Sequence, residues 1–416
     1  MSIPDPRLIE QFRKGGWLPA SQEVLDKWLK GKLNQARRSR ALLLPPIQEL
    51  KDMIEDDGDM YMGFNRMFEN GTVVTNYDEM LVMMNQILGE APFYGDIGPP
   101  FYMILYEAMN TDGGFTAFLA DKLNVQLKKI FDFWAEYLIS PNSTSVLTEE
   151  DGGWFSPAAI AAMEVGFEGL TFDQIFACEP SLPHKGYTSW DDFFVRIFND
   201  GVRTLELPDQ PTVINAACES VFYNVAFDVK ENDQFWIKGE PYSLHHMLNH
   251  DEEYSNVFIG GTVFQGFLQV TGYHRWHAPV EGTVTKIVSI PGTYFVQSPA
   301  VLNSPPEDNP YLQSLGFITS LTARMLIFIQ SSNPSIGLMC FIAVGMTEVS
   351  TCEATVQVGQ QVKRGDELGM FHFGGSSHCL IFQKGAAIQW DGDVTVPGTL
   401  VRVRAAIGAA TSEPAA

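Results

Sequence analysis

Only five cysteines occur in 416 residues, Cys178, Cys218, Cys340, Cys352 and Cys379, and no two are spaced as CxxC. A scattered, odd set excludes a secreted disulfide framework and argues against a structural zinc site; no metal is expected. Basic residues are scarce too: 27 Lys and Arg against 50 Asp and Glu give a formal net charge of −23. Such a surface repels phosphate backbones and anionic lipid, so neither nucleic acid nor a membrane is an expected partner. The one dense basic stretch, Lys27 to Arg40, carries Leu and Trp at helical spacing and reads as a solvated helix face. Long apolar runs are missing: nothing approaches the ~20 residues of a membrane span. The opening MSIPDPRLIEQFRKGG has no apolar core of the signal-peptide kind. Together these absences predict a cytoplasmic protein.

What is present, 45% hydrophobic and 19% charged residues, describes a folded chain long enough for two domains or one large one. The first 180 residues carry helix rhythm. Ser21 is placed to cap a helix with Val24, Leu25, Trp28, Leu29 and Leu33 on one face. Ile47, Leu50, Met53 and Ile54 repeat the spacing after the Pro45-Pro46 break; Met80, Leu81, Met84, Ile87 and Leu88 repeat it again, with Gly89 placed to end that helix. From about Pro211 to about Val403 the pattern changes to short β-branched and aromatic runs broken by Gly, Pro and Asn. The expectation is an α+β protein: a helical N-terminal domain over 1–185, a mainly β, sandwich-like catalytic domain over 186–405, and a flexible tail over 406–416. Within the β part, APVEGTV (278–284) and TVQVGQQVKRGDELGMF (355–371) resemble the two halves of a biotinyl- or lipoyl-type sandwich.

Three polar clusters interrupt this apolar sequence. Phe373-Gly374-Gly375-Ser376-Ser377 is not a GxSxG nucleophile elbow, because His378 stands where the last Gly belongs. Two glycines before a serine let the backbone bend until the hydroxyl reaches its own preceding carbonyl carbon; an ordinary tight turn would use the same residues. Tyr273-His274-Arg275-Trp276-His277 offers two histidines three apart, which on a strand point to opposite faces and so disfavour a shared zinc. They are either buried, satisfied rings or proton-transfer groups. Ala217-Cys218-Glu219-Ser220 sets a carboxylate in an apolar strand, where it needs a partner. Nucleophile, base and orienter are thus all available, without proof that they meet.

WDDFFVR (190–196), IKGEPYSLHHML (237–248), YHRWHAPVEG (273–282) and FHFGGSS (371–377) occur in the order found in phosphatidylserine decarboxylases. The resemblance covers roughly 185–405. PPIQELK, YGDIGPPFYMI, AACES and VGMTEVSTCEATV are similar to a fungal branch of that family, the L-tryptophan decarboxylase branch after its best-known activity. The resemblance implies that Ser376 attacks the carbonyl of Gly375, with His277 as base and Glu219 orienting His277. Chain cleavage between Gly375 and Ser376 then leaves a pyruvoyl group on the new N-terminus. That group is the cofactor; it holds the substrate amine as a Schiff base while carbon dioxide leaves, and His274 assists the decarboxylation or reprotonation. The two fragments stay associated, and the small-molecule partner is an amino acid. One departure stands out: the phospholipid enzymes usually carry Asp where this chain has Glu219, one methylene longer. The readings to weigh are decarboxylation of a free aromatic amino acid, decarboxylation of phosphatidylserine, a non-catalytic carrier sandwich, and a serine hydrolase. The carrier lacks a Met-Lys pair at a hairpin tip, since Lys363 precedes Arg-Gly-Asp; the hydrolase lacks its elbow.

Overall fold

The computed structural model describes residues 5–95, 97–232, 242–305, 308–348, 350–373 and 376–411. Helices dominate its first half. In α1 (Gln22–Ser39) the Ser21 hydroxyl accepts from the Val24 N–H, and Leu25, Leu29 and Leu33 are buried. Pro45 and Pro46 open α2 (Pro45–Asp56), which buries Ile47, Leu50 and Ile54; the missing proline N–H is harmless in a first turn. Asn76 caps α3 (Tyr77–Ile87), whose Met80, Leu81, Met84 and Ile87 face inward. This helix ends without a left-handed glycine: Leu88 remains right-handed, and the Gly89 N–H bonds back to Gln86. Further along come α4 (Pro100–Leu105), buried throughout, α5 (Asp121–Leu138) and α6 (Trp190–Phe194).

The second half supplies fourteen strands among the described residues. They are β1 (Val213–Asn215), β2 (Ser220–Phe227), β3 (Thr262–Phe267), β4 (Arg275–His277), β5 (Gly282–Ile290), β6 (Arg324–Ser331) and β7 (Leu338–Gly345). The rest are β8 (Thr351–Ala354), β9 (Gln361–Val362), β10 (Glu367–His372), β11 (Ser376–Phe382), β12 (Ile388–Trp390), β13 (Leu400–Val401) and β14 (Ala406–Ala410). An antiparallel sheet runs β13-β2-β3-β11-β7-β6-β5-β9, accompanied by two three-stranded sheets, β4-β10-β8 and β1-β14-β12. The fold is α+β. Alternation along β11 shows the layering. Leu380 and Phe382 join a core with Trp276, Phe371 and Ile407 of the small sheets. Cys379 and Ile381 pack on the other face with Leu244, Met247 and Phe258. Burial on both faces is why β7 and β11 read as unbroken apolar runs. The two sandwich-like half-motifs do meet, with Gly282 opposite Val362 and the Gly365 N–H on the Ala278 carbonyl.

One expectation is corrected. Residues 406–410 are not tail: they form β14, the central strand between β1 and β12. Its Ala-Ile-Gly-Ala-Ala sequence has weak strand propensity, but small side chains let it fit beneath Trp390, where a Cβ on Gly408 would come within 3.2 Å of the indole. Residues 412–416 lie outside the described residues.

Helical and β parts share one apolar core. The Trp17 indole N–H donates to the Leu268 carbonyl at 2.8 Å, and Phe131 meets Tyr294 edge-on at 5.0 Å. A polar joint accompanies them: Glu348, just beyond β7, accepts from the Phe101 and Tyr102 N–H groups at the start of α4, at 2.8 and 3.1 Å. Burial pushes its carboxyl up to about 7, against the two amide bonds. An acid with a raised folded pKa opposes folding once its unfolded form ionises. The loss therefore opens near pH 4.5 and is complete above pH 7, with a size of order 3 kcal/mol. Glu348→Gln keeps Oε1, which accepts from Phe101 at 2.8 Å and more weakly from Tyr102 at 3.4 Å, gives up the Oε2 bond to Tyr102, and removes this pH-dependent loss. Relative to wild type it should gain stability from pH 5 to pH 8, read by urea unfolding at both; an identical offset at the two pH values refutes the assignment.

Candidate active site

Ser376 opens β11 and lies opposite Gly345 of β7, while its carbonyl accepts from the Leu268 N–H at 2.6 Å. The strand period puts the two adjacent serines on opposite faces. Ser377 is satisfied: its hydroxyl accepts from Gln265 Nε2 at 2.9 Å and donates to the Gly266 carbonyl at 3.1 Å. Ser376 Oγ is fully buried and has no hydrogen-bond partner among the described residues. A desolvated hydroxyl without a partner is destabilising by ~1–3 kcal/mol and is kept where chemistry uses it. Gly374 and Gly375 lie outside the described residues. Just before them Phe373 sits at φ +74°, a left-handed conformation that strains a bulky residue.

His274 is placed by the same junction. Its carbonyl accepts from the Phe371 N–H at 3.0 Å, so the segment 268–274 is bonded to both ends of 371–376. Its ring stacks on Phe194 of α6 at 4.0 Å, and both ring nitrogens are buried, beside the backbone of Gln269 and Gly272. The buried Arg196 steadies the preceding turn through the Thr271 and Gly272 carbonyls, at 2.6 and 2.8 Å. Burial, with Arg196 nearby, holds the His274 imidazole well below its usual pKa.

His277 faces elsewhere. Nε2 lies 3.0 Å from the Tyr273 hydroxyl; Nδ1 lies 3.0 Å from the Gly365 carbonyl and 3.2 Å from Arg404 Nη2. Burial, then the Arg404 charge, lowers its pKa to about 3. The ring is therefore neutral at physiological pH, in the form a base needs. No hydrogen bond joins His277 to Ser376 among the described residues; the Tyr273 hydroxyl occupies Nε2.

Glu219 is not at His277 either. Arg203 grips its carboxylate through Nε (3.0 Å) and Nη2 (2.6 Å), and the Val403 N–H donates to Oε2 at 2.9 Å. A planar guanidinium satisfies a carboxylate in this forked manner, which supplies the partner the apolar strand demanded. The connection to His277 is indirect, since the Arg203 carbonyl lies 3.5 Å from Arg404 Nη1. Arg203→Ala should lower stability by about 2 kcal/mol, measured by urea denaturation, because it strands a carboxylate with 20% side-chain exposure. Adding Glu219→Ala should recover part of that loss; fully additive losses would show that the pair is not coupled.

Sequence reasoning passed over Tyr273, Arg404, Arg203 and Phe194 as site residues. Tyr273 and Phe194 sit inside the quoted motifs and were available there. Arg404 and Arg203 carry no local signal.

A cavity of about 310 Å³ adjoins this junction, lined among others by Trp154, Trp190, Phe93, Phe373, Arg13 and Lys14. Trp190 stacks on Phe194 at 5.0 Å, and Phe194 on His274, so the cavity wall connects directly to the buried imidazole. A family model described as phosphatidylserine decarboxylase matches residues 190–409, and a second of that description matches 44–163. The chain belongs to the phosphatidylserine decarboxylase family. It is a decarboxylase, a carboxy-lyase. Among its relatives, an L-tryptophan decarboxylase of Psilocybe cyanescens is 45% identical over 95% of this chain and 94% of its own. An L-tryptophan decarboxylase of Psilocybe cubensis is 43% identical over 96% and 95%. A phosphatidylserine decarboxylase proenzyme 2 of Oryza sativa subsp. japonica is 30% identical over 64% of this chain and 41% of its own. No helix among the described residues is long and apolar enough to cross a membrane.

Proposed function

We propose that the chain processes itself between Gly375 and Ser376 and decarboxylates a free aromatic amino acid, L-tryptophan foremost, with a pyruvoyl group made from Ser376. The observation that carries this reading is the buried Ser376 hydroxyl, without a hydrogen bond among the described residues, beside a satisfied Ser377. The residues present fit the group: elimination would remove Ser376 Oγ and leave Cβ as a methyl, which suits a buried setting that gives this hydroxyl no hydrogen bond among the described residues, and the ketone oxygen would stand on Cα where the Ser376 nitrogen was. When formed, a pyruvoyl carbonyl supplies an electron sink for the bond to the departing carboxylate.

The protein's part follows from its own residues. His277, neutral through burial, takes the Ser376 proton; this requires the Tyr273 hydroxyl to yield Nε2. Gly365 and Arg404 hold the other side of the ring, and Glu219 acts at one remove by fixing Arg203. His274 moves a proton at the substrate α-carbon. The C-terminal fragment stays in place because β11 is paired on both sides, with β3 and β7.

The cavity favours a free amino acid. At about 310 Å³ it sits at the small end of ligand sites and suits one amino acid better than a phospholipid. Trp154, Trp190, Phe93 and Phe373 suit an aryl ring, and Arg13 and Lys14 a carboxylate. A net charge of −23 also opposes an anionic membrane surface. The family match keeps phosphatidylserine as the second reading. Carbon dioxide release measured side by side with tryptophan, tyrosine, phenylalanine and phosphatidylserine vesicles decides. Turnover of tryptophan at least tenfold above the lipid is expected, and the reverse order would replace this reading with the second.

A further inference from the structure

The end of β10, just ahead of Ser376, is held by a histidine that the proposed chemistry leaves unused. His372 ends β10, four residues ahead of Ser376. Its Nδ1 lies 3.0 Å from Asp191 Oδ2 on α6, and its Nε2 lies 3.0 Å from Glu353 Oε2 on β8. The His372 and Asp191 side chains are only 13% and 10% exposed. An imidazole facing two carboxylates needs an N–H on each nitrogen, and only the imidazolium has both. The surrounding charges agree. On α6, Asp192 is turned back to the Thr188 N–H and hydroxyl. On β4, the neighbouring Arg275 is occupied by Glu367 at 2.8 Å and the Val195 carbonyl at 2.7 Å. His372 is thus the cation for Asp191, and its pKa is raised by the two carboxylates against the burial that lowers it.

We infer that His372, bridged between Asp191 and Glu353, is a positioning residue for self-processing, holding the end of β10 against α6 so that the chain enters Ser376 in a reactive geometry. This rests on the processing reading above. Two consequences reach the site. The clamp fixes the strained Phe373, which lines the cavity, and it fixes Asp191, whose neighbour Trp190 forms the facing wall. It also makes processing sensitive to pH in an unusual direction. The base His277 is already neutral above about pH 3, and rising pH favours a serine nucleophile. A cleavage rate that falls as pH rises therefore reports His372 losing its second proton.

The test is a cleavage time course after cell-free synthesis of the full chain, followed by intact mass from pH 6 to pH 9. Wild type should cleave and should slow toward high pH. His372→Phe keeps a flat ring without N–H donors and should cleave at least tenfold more slowly. His372→Lys keeps a cation and should recover most of the rate, with no fall toward pH 9; a merely space-filling role would not give that rescue. If His372→Phe does not fold, Asp191→Asn should show the same slowing. Wild-type rates and wild-type pH dependence in these variants overturn the inference alone. An uncleaved wild type overturns the processing reading and this inference with it.

Discussion

Ser376→Ala should leave a single uncleaved chain with no detectable decarboxylase activity, whereas wild type should resolve into two pieces, the smaller being the 41 residues Ser376–Ala416. The effect is all or none because the variant loses a precursor, not one contribution among several to a barrier. Folding supplies the internal control. The wild-type hydroxyl is buried with no partner among the described residues, so removing it relieves a desolvated group, and the variant should be as stable as wild type or more stable by ~1 kcal/mol. Ser377→Ala should behave in the opposite manner. It breaks two hydrogen bonds, to Gln265 and Gly266, and should cost about 1 kcal/mol while still cleaving. Intact mass, carbon dioxide release and urea midpoints on the three proteins separate these outcomes. A fully active, uncleaved wild type sinks the pyruvoyl reading.

The contrast between those two serines marks what local sequence can carry. Gly-Gly-Ser-Ser names a bend and two hydroxyls, and strand alternation says that they part. Which one is satisfied depends on Gln265, 112 residues away from Ser377. Helix α1 was legible through Ser21 and the Leu25–Leu29–Leu33 stripe because caps and stripes are local. Gly89 misled slightly, since a helix can close through right-handed turns without using the left-handed freedom of glycine. Strand β14 escaped because its residues have little propensity of their own and are held by partners at 213–215 and 388–390. The case of Glu219 is similar. The demand for a partner was readable from burial, but its identity was not: Arg203 lies only 16 residues away, on an irregular segment with no motif. Arg404, 127 residues from His277, is brought to the ring by the register of the sheets and by a left-handed backbone at φ +66°, which no periodicity announces.

Separating the two histidines is the second large expected effect. His277→Ala should block cleavage, leaving a full-length, inactive chain, because the Ser376 hydroxyl then has no base. His274→Ala should cleave normally and lose turnover by ~10²–10⁴-fold, the usual contribution of one acid–base group. The geometry gives each variant its reason. His277 is held at both nitrogens by Tyr273, Gly365 and Arg404, an arrangement for orienting a ring. The His274 ring is stacked on Phe194 and meets, besides that, only the backbone of Gln269 and Gly272 in its own turn, contacts that a substrate can displace. The pH dependence checks the pair independently. An unperturbed histidine base would lose activity as pH falls through about 6.5. Here burial disfavours the imidazolium in both rings and holds His277 near 3, so each stays neutral well below that point. For fully cleaved enzyme, kcat/KM for tryptophan should stay level between pH 7.5 and pH 5.5. An acid limb with a midpoint near 6.5, absent in His274→Gln, would show that the His274 ring is solvated in the working enzyme and that its buried state is not the catalytic one.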